Sequence, residues 1–147
     1  LDKFMGDGTM AYWIVEPGQD AECCTKALRA ALESLHRVQM IPHGAGHLDL
    51  RIGLHVGEVL AGNFGTPDRA QYTLVGHEVN KAARLEQARV ENVTDRGRLA
   101  SVRVSEEFFE CLSAPEKELL PHRCNVDCKG IREIVVYSGE GMEEVRE

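Results

Sequence analysis

No stretch of this sequence approaches the roughly 20 consecutive apolar residues that a membrane-spanning helix requires. A basic excess is also missing, because 17 lysine and arginine residues stand against 24 aspartate and glutamate residues, for a net charge of −7. That balance argues against binding to nucleic acid, which needs a concentrated basic stripe on the surface. It leaves a phosphate-binding site open, since one phosphate group needs only a few local cations.

The cysteines lack the regular, even-numbered pattern of a disulfide framework. Their number is odd and their spacing irregular, so we expect reduced thiols in a cytoplasmic compartment. The chain also opens on Leu1 without a start methionine, and we expect it to be cut from a longer protein whose membrane anchoring the sequence leaves open. The five cysteines are Cys23, Cys24, Cys111, Cys124 and Cys128.

The remaining composition is that of an ordinary globular chain. Hydrophobic residues make up 43% and charged residues 28% of the 147 positions, and no repeat or linker divides them. We therefore expect residues 1–147 to form a single domain. In the first half of the chain the apolar pattern predicts a hairpin turning at Gly6-Asp7-Gly8, a helix capped by Asp20 and ending near Val38, a loop at 43–47, and strands over 48–56, 59–62 and 71–75. In the second half it predicts a helix over 78–88, a strand at 102–104, a helix capped by Ser105, and a last strand over 134–137.

Four short stretches carry the residues that could do chemistry. In chain order they are residues 3–8 (KFMGDG), 52–59 (IGLHVGEV), 71–85 (QYTLVGHEVNKAARL) and 129–131 (KGI). Each stretch alone is a weak signal. Their order and spacing together resemble the catalytic domain of the class III adenylate and guanylate cyclases, over about residues 3–137.

The resemblance implies a fold, a reaction and a set of site residues. The fold is an α+β, ferredoxin-like sandwich, a mostly antiparallel sheet with packed helices, here incomplete at its N-terminal end. The reaction converts ATP to 3′,5′-cyclic AMP and pyrophosphate with two Mg²⁺ or Mn²⁺ ions. The implied roles are metal binding for Asp7, ribose orientation for Asn80, stabilisation of charge on the α-phosphate for Arg84, base reading for Lys3 and Thr73, and contact with the terminal phosphates for Lys129.

Elementary chemistry agrees with these roles. In-line attack of the ribose 3′-hydroxyl on the α-phosphorus suits two metal ions, which assist deprotonation and stabilise the attacking and leaving oxygens. Such ions prefer oxygen ligands, and Asp7 can supply one. Asn80 and Arg84 are four positions apart, so both project from one helix face, and the arginine fork stays charged. Each of these residues also has a plainer interpretation: Asp7 as a turn aspartate, Asn80 and Arg84 as residues of a surface helix, and Lys129 as a solvated lysine.

Lys3 and Thr73 decide the choice of base in the related family. A lysine donor with a threonine hydroxyl suits adenine, which offers a ring-nitrogen acceptor and an amine donor, and suits guanine poorly. ATP is therefore the expected substrate. A guanylate cyclase is the first alternative, and a degenerate cyclase-like regulatory or dimerisation module is the second. A diguanylate cyclase is disfavoured because the sequence has no Gly-Gly-(Asp/Glu)-(Asp/Glu)-Phe turn.

The resemblance also implies a head-to-tail homodimer with shared active sites. Asp7, Lys3 and Thr73 of one subunit would face Asn80 and Arg84 of the other, and residues 62–71 would form the arm that reaches the partner. The second metal-binding carboxylate is expected upstream of Leu1, so we expect this chain alone to be inactive and to expose a sheet edge. The longer protein is expected to carry a regulatory domain.

Two further groups of residues have plain interpretations. His55 lies among strand residues and is interpreted as a hydrogen-bonded structural histidine rather than a base. His122, Cys124 and Cys128 lack the second Cys-x-x-Cys partner of a standard zinc site, so we expect no zinc there.

Overall fold

A computed structural model of the protein describes residues 3–68, 71–90, 101–128 and 131–140. Four helices lie in these ranges: α1 (Asp20–Gln39), α2 (His77–Gln87), α3 (Glu106–Glu110) and α4 (Ala114–Glu118). The strands are β1 (Lys3–Met5), β2 (Gly8–Met10), β3 (Pro42–His43), β4 (Gly46–His47), β5 (Arg51–Leu54), β6 (Leu60–Phe64), β7 (Gln71–Val75), β8 (Ser101–Ser105), β9 (His122–Cys128) and β10 (Ile131–Gly139).

The main sheet has four strands in the order β5-β8-β10-β9. β5 runs parallel to β8, whereas the pairs β8–β10 and β10–β9 are antiparallel. Three antiparallel two-stranded sheets, β1–β2, β3–β4 and β6–β7, stand beside it. The predicted fold class, an α+β arrangement with a mostly antiparallel sheet and packed helices, is confirmed.

β8 is the centre of the fold, and all five of its residues are buried. Val102 and Val104 point to the face covered by α1, where they join Leu28, Leu35 and Phe108 in the larger hydrophobic cluster. The predicted apolar stripe of α1 is confirmed, because the members that the helix buries recur at helical spacing. They are Cys24, Ala27, Leu28, Ala31, Leu32 and Leu35.

The opposite face of the sheet is covered by α2 and the residues that follow it. Leu85, Ala88 and Val90 pack there with Val126 and Val136 of the sheet. The contact is closest at Gly53 of β5, where an added Cβ would lie 2.6 Å from the amide nitrogen of Glu86 and against the carbonyl of Ala82. Only glycine lets the helix backbone come this near the strand.

The N-terminal hairpin forms within the predicted Gly6-Asp7-Gly8 stretch, but its loop begins one residue earlier than the Asp-Gly signal predicts. Met5 pairs with Gly8, so the two-residue loop is Gly6–Asp7, and the positive φ of 62° falls on Gly6 rather than on the Asp7-Gly8 pair. Glycine favours that conformation because it has no Cβ. The hairpin forms a sheet of its own, and among the described residues no strand pairs with the outer edge of β5.

Other boundaries also differ from the predictions. Asp20 does not cap α1: Gln19 holds the cap position and Asp20 is the first helical residue, where its charge suits the helix dipole. The loop at 43–47 contains the β3–β4 hairpin, and the strand predicted over 48–56 is reduced to β5. Ser105 does cap α3, accepting a hydrogen bond from the Phe108 amide at 3.2 Å.

A buried leucine of α1 and an exposed leucine after β4 predict a mutational contrast. Leu28→Ala removes a side chain with no solvent exposure, and we expect it to lower the free energy of unfolding by about 2–5 kcal/mol. Leu48→Ala, at a position 36% exposed, is the matched control and should cost less than about 1 kcal/mol. Urea unfolding followed by circular dichroism measures both. Equal losses would contradict the assignment of the core.

Candidate functional site

Helix α2 carries two of the residues singled out in the sequence. It begins after Gly76, whose φ of 149° lies in a region that favours glycine. Gly76 holds the N-cap position and offers no side chain to cap the helix. The amide of Asn80 donates to the Gly76 carbonyl at 3.3 Å, within the first turn. Asn80 is exposed and Arg84, one turn later, is half-buried. The helix therefore presents an amide and a guanidinium four residues apart, as predicted.

The remaining candidates are not assembled with them within one chain. Asp7 is exposed in the turn between β1 and β2, on a different sheet from the strands that α2 covers. The structure gives the backbone of Lys3 and Thr73, in β1 and β7, and does not describe their side chains. Lys129 lies outside the described residues. The convergence of these groups on one substrate stays a prediction.

The described residues fit a divalent ion only in part. Asp7 offers the oxygen ligand that Mg²⁺ and Mn²⁺ prefer, on an exposed turn that an ion can reach. Across the described ranges, however, no group of three histidine, cysteine, aspartate or glutamate side chains could hold a metal ion. One carboxylate makes an incomplete site, and the second ligand expected before Leu1 stays a prediction.

A chain of hydrogen bonds fixes the first turn of α2 to the sheet. His55, whose side chain is only 2% exposed, contacts the Glu78 carboxylate through Nε2 and Ser105 Oγ through Nδ1, the latter at 2.6 Å. With the ring neutral, Nε2–H donates to Glu78, Nδ1 accepts from the Ser105 hydroxyl, and that hydroxyl accepts from the Phe108 amide. The interpretation of His55 as a structural, hydrogen-bonded histidine is confirmed.

The last turn of α2 is fastened by a second set of polar contacts. Arg103, fully buried in β8, donates from Nη1 to the Glu86 carbonyl at 2.6 Å and from Nε to Ser101 Oγ at 2.7 Å. Burial, with the nearby charge of Arg51, lowers the pKa of Arg103 to about 10, which keeps it charged at neutral pH. Arg51 also pairs with the Glu86 carboxylate at 3.2 Å.

Sequence reasoning did not single out Glu78 or Arg103 as functional residues. The sequence places Glu78 only at the start of a helix, and its partner His55 is 23 positions away in the chain. A signal for Arg103 was present, because an arginine within an apolar strand must find a partner when it is buried. That signal predicts a paired arginine but not the helix to which it binds.

A cavity of about 170 Å³ lies between the segment after β2, α1, β5 and α2. Its lining is mostly apolar and includes Tyr12, Trp13, Cys24, Leu54 and Phe108. Asp7, Asn80 and Arg84 do not line it. His55 and Glu78 do line it, together with Val79 of the same helix.

Two of the residues lining the cavity, Cys23 and Cys24, are adjacent free thiols in different surroundings. Cys24 is 3% exposed, and burial, followed by the neighbouring Cys111 thiol, raises the pKa of Cys24 to about 12. Cys23 is only half-buried. The Cys24 thiol therefore stays protonated over the range in which an ordinary thiol ionises.

Comparison with known proteins identifies the class. Residues 3–141 match the family described as the adenylate and guanylate cyclase catalytic domain. Because this match spans most of the chain, the chain belongs to the class III nucleotidyl cyclase catalytic domains.

None of the described helices combines the length and apolarity that a membrane crossing requires.

Individual relatives match a shorter part of the chain than the family as a whole does. Adenylate cyclase 1 of Rhizobium meliloti (strain 1021) is 34% identical over 89 residues, which cover 57% of this chain and 13% of that protein. An uncharacterized protein of Mycobacterium bovis (strain ATCC BAA-935 / AF2122/97) is 53% identical over 87 residues, 58% of this chain and 15% of that protein. The chain thus spans a small fraction of the length of these relatives.

Solved structures confirm the fold. The guanylyl cyclase Cya2 superposes with a TM-score of 0.63 at 24% identity, covering 99% of this chain and 72% of that one. The adenylyl cyclase CyaB from P. aeruginosa superposes with a TM-score of 0.58 at 23% identity, covering 97% and 72%. At these identities the likeness concerns the fold, and both kinds of cyclase share it.

The contrast between the two adjacent thiols can be measured directly. At pH of about 8.5, near the ordinary pKa of a thiol, iodoacetamide should modify Cys23 well before Cys24, because Cys24 is both shielded and protonated. Tandem mass spectrometry of the peptide that contains both residues follows each rate. The urea-unfolded chain is the control, in which the two rates should converge. Equal rates in the folded protein would contradict the described environment of Cys24.

Proposed function

We propose that this domain converts ATP to 3′,5′-cyclic AMP and pyrophosphate. The observation that carries the proposal is the placement of Asn80 and Arg84 on one face of α2 in a chain of the cyclase family. An exposed amide suits a hydrogen bond to the ribose, and a guanidinium one turn away suits the negative charge that develops on the α-phosphate. Neither side chain is committed to the hydrophobic core, so both are available to a substrate.

Asp7 is the proposed metal ligand of this chain, with a second carboxylate expected upstream of Leu1. When bound, two Mg²⁺ or Mn²⁺ ions would supply positive charge that assists loss of the 3′-hydroxyl proton and departure of pyrophosphate. The protein groups do the remaining work. Asn80 holds the ribose so that the hydroxyl lies in line with the α-phosphorus, Arg84 stabilises the charge on the α-phosphate, and Lys129 meets the terminal phosphates.

The preference for ATP over GTP rests on Lys3 and Thr73. Their strands, β1 and β7, supply a donor and a hydroxyl that complement adenine. The relative named adenylate cyclase 1 supports the same choice, at 34% identity over 89 residues. A guanylate cyclase differs in the base and not in the chemistry, so direct comparison of the two nucleotides decides between them.

A head-to-tail homodimer would bring the separated groups together. Asp7 lies on one sheet and Arg84 on the helix of another, and a partner subunit offers the missing half of each site. The β6–β7 ribbon supports this assembly, because it exposes apolar side chains that a monomer leaves in water: Leu60 is 72%, Phe64 43% and Val75 43% exposed. We further propose that the longer protein is cytoplasmic in this part and carries a regulatory domain.

The activity should depend on Arg84 more than on a neighbouring arginine. Full-length protein with Mn²⁺ should form cyclic AMP from ATP faster than cyclic GMP from GTP. Arg84→Ala should lower kcat by about 10²–10³, because one preorganised donor to the developing charge is lost. Arg89→Ala, an exposed arginine beyond the end of α2, is the matched control and should leave kcat unchanged. Chromatographic separation of the products gives both rates.

Each contrary outcome has a distinct meaning. Faster turnover of GTP would replace the adenylate assignment by the guanylate one. Failure to turn over either nucleotide in the full-length protein would support the degenerate regulatory module. Equal losses in the Arg84→Ala and Arg89→Ala variants would remove Arg84 from the site.

Shared sites predict complementation between inactive variants. Asp7→Ala and Arg84→Ala should each be nearly inactive, because each homodimer lacks one group in both sites. Mixed in equal amounts and allowed to exchange subunits, they should recover about one quarter of the wild-type activity, since half of the dimers are mixed and each has one intact site. Mixing two batches of Asp7→Ala is the control. No recovery after demonstrated subunit exchange would show that Asp7 and Arg84 act within one subunit.

A further inference from the structure

We propose that the His55–Glu78 pair is a positioning device that sets the orientation of α2 and thereby aims Asn80 and Arg84 at the substrate. The proposal rests on the proposed function, because it assigns the pair a part in that reaction. Neither residue is proposed to touch the nucleotide. The argument starts from how little of α2 is held by apolar packing.

Within α2 itself, Leu85 is the sole residue that the structure buries fully. The tightest contacts of the 11-residue helix, Leu85 and the approach of its backbone to Gly53, lie in its middle and end. Its first turn contributes only the half-buried Val79 to this packing, so a pivot displaces the first turn most easily. Asn80 lies in the part of the helix that such a pivot would move most. A helix that must hold two groups at fixed positions therefore needs a second point of attachment near its start.

Glu78 provides that attachment, because it is the second residue of α2 and binds a buried partner. His55 is fixed in turn by Ser105 Oγ at 2.6 Å, and Ser105 caps α3. The first turn of α2 is thus linked through a single imidazole to β8 and α3, and to the residue that directly follows β5. Lys81 adds a neighbouring tie, with its Nζ 2.5 Å from the Glu107 carboxylate.

Gly57 makes room for this contact. A Cβ built on Gly57 would lie 2.8 Å from both Cγ and Cδ of Glu78 and closer still to its carboxylate oxygen. The φ of Gly57 lies outside the left-handed region, so alanine is not strained there by its backbone. Glycine at this position is therefore explained by the closeness of the Glu78 side chain. Alanine would displace that side chain from His55.

Gly57→Ala is consequently a steric test that leaves both partners chemically intact. In the full-length protein it should lower kcat by roughly 10- to 100-fold, the scale of a small misplacement of reacting groups, with little change in KM for ATP. Amide hydrogen exchange should quicken in α2 and stay unchanged in α1. Gly46→Ala is the matched control, because its added Cβ meets open space, and it should change neither quantity.

A second pair of variants separates the effect of losing the hydrogen bond from the effect of added side-chain bulk. Glu78→Ala removes the acceptor of His55 Nε2–H and should reproduce the loss in kcat and the faster exchange of α2. Glu78→Gln keeps an acceptor oxygen and should retain most of the wild-type kcat. Glu78 is 37% exposed, so neither change threatens the core, and thermal unfolding midpoints verify this.

The outcomes distinguish this proposal from the proposed function. If Gly57→Ala and Glu78→Ala match Gly46→Ala in α2 exchange, the anchoring is overturned. If exchange quickens while kcat is unchanged, the anchoring has no part in catalysis and the positioning role is overturned. If the wild-type protein forms no cyclic nucleotide, the proposed function fails, whereas the exchange comparison still supports or overturns the anchoring of α2.

Discussion

The attachment of α2 to the central sheet is the constraint on which the candidate site depends. Gly53 allows the helix backbone to lie against β5, at a separation that any side chain would prevent. At this distance the polar groups of the sheet reach both ends of the helix: His55 meets Glu78 in the first turn and Arg103 meets the Glu86 carbonyl in the last. Apolar packing at Leu85 contributes stability, and the polar contacts add a defined orientation.

Much of the fold could be predicted because its elements have strong local signals. The apolar stripe of α1, the run of β7 and the glycine before α2 each mark an element within a few residues. β9 (His122–Cys128) was missed because its sequence alternates too few apolar residues, and it forms a strand by pairing with β10. α4 is five residues long, too short for a helical period to be recognised.

The candidate site was predictable to the extent that it is local. The spacing of Asn80 and Arg84 within one helix is set by helical geometry, so the sequence alone places them on one face. The relation of Asp7 to them depends on tertiary contacts, and in the proposed dimer on subunit contacts, that no local pattern encodes. The same holds for His55 and Glu78, which are 23 positions apart and meet only because β5 and α2 pack together.

Within α2 one set of residues fixes the helix to its surroundings, and in the proposed function a different set faces the substrate. In the proposed function Arg84 keeps its guanidinium available to a phosphate, and a strong internal ion pair at that position would compete with the substrate. The helix is instead fixed through other groups: the Glu78 and Glu86 carboxylates contact His55 and Arg51. The Glu86 backbone carbonyl accepts from Arg103, and Lys81 contacts Glu107. Carboxylates are well suited to this role, because they bind cationic and hydrogen-bonding groups and would repel a nucleotide rather than bind it. The orientation of the helix is then set independently of the groups that it presents.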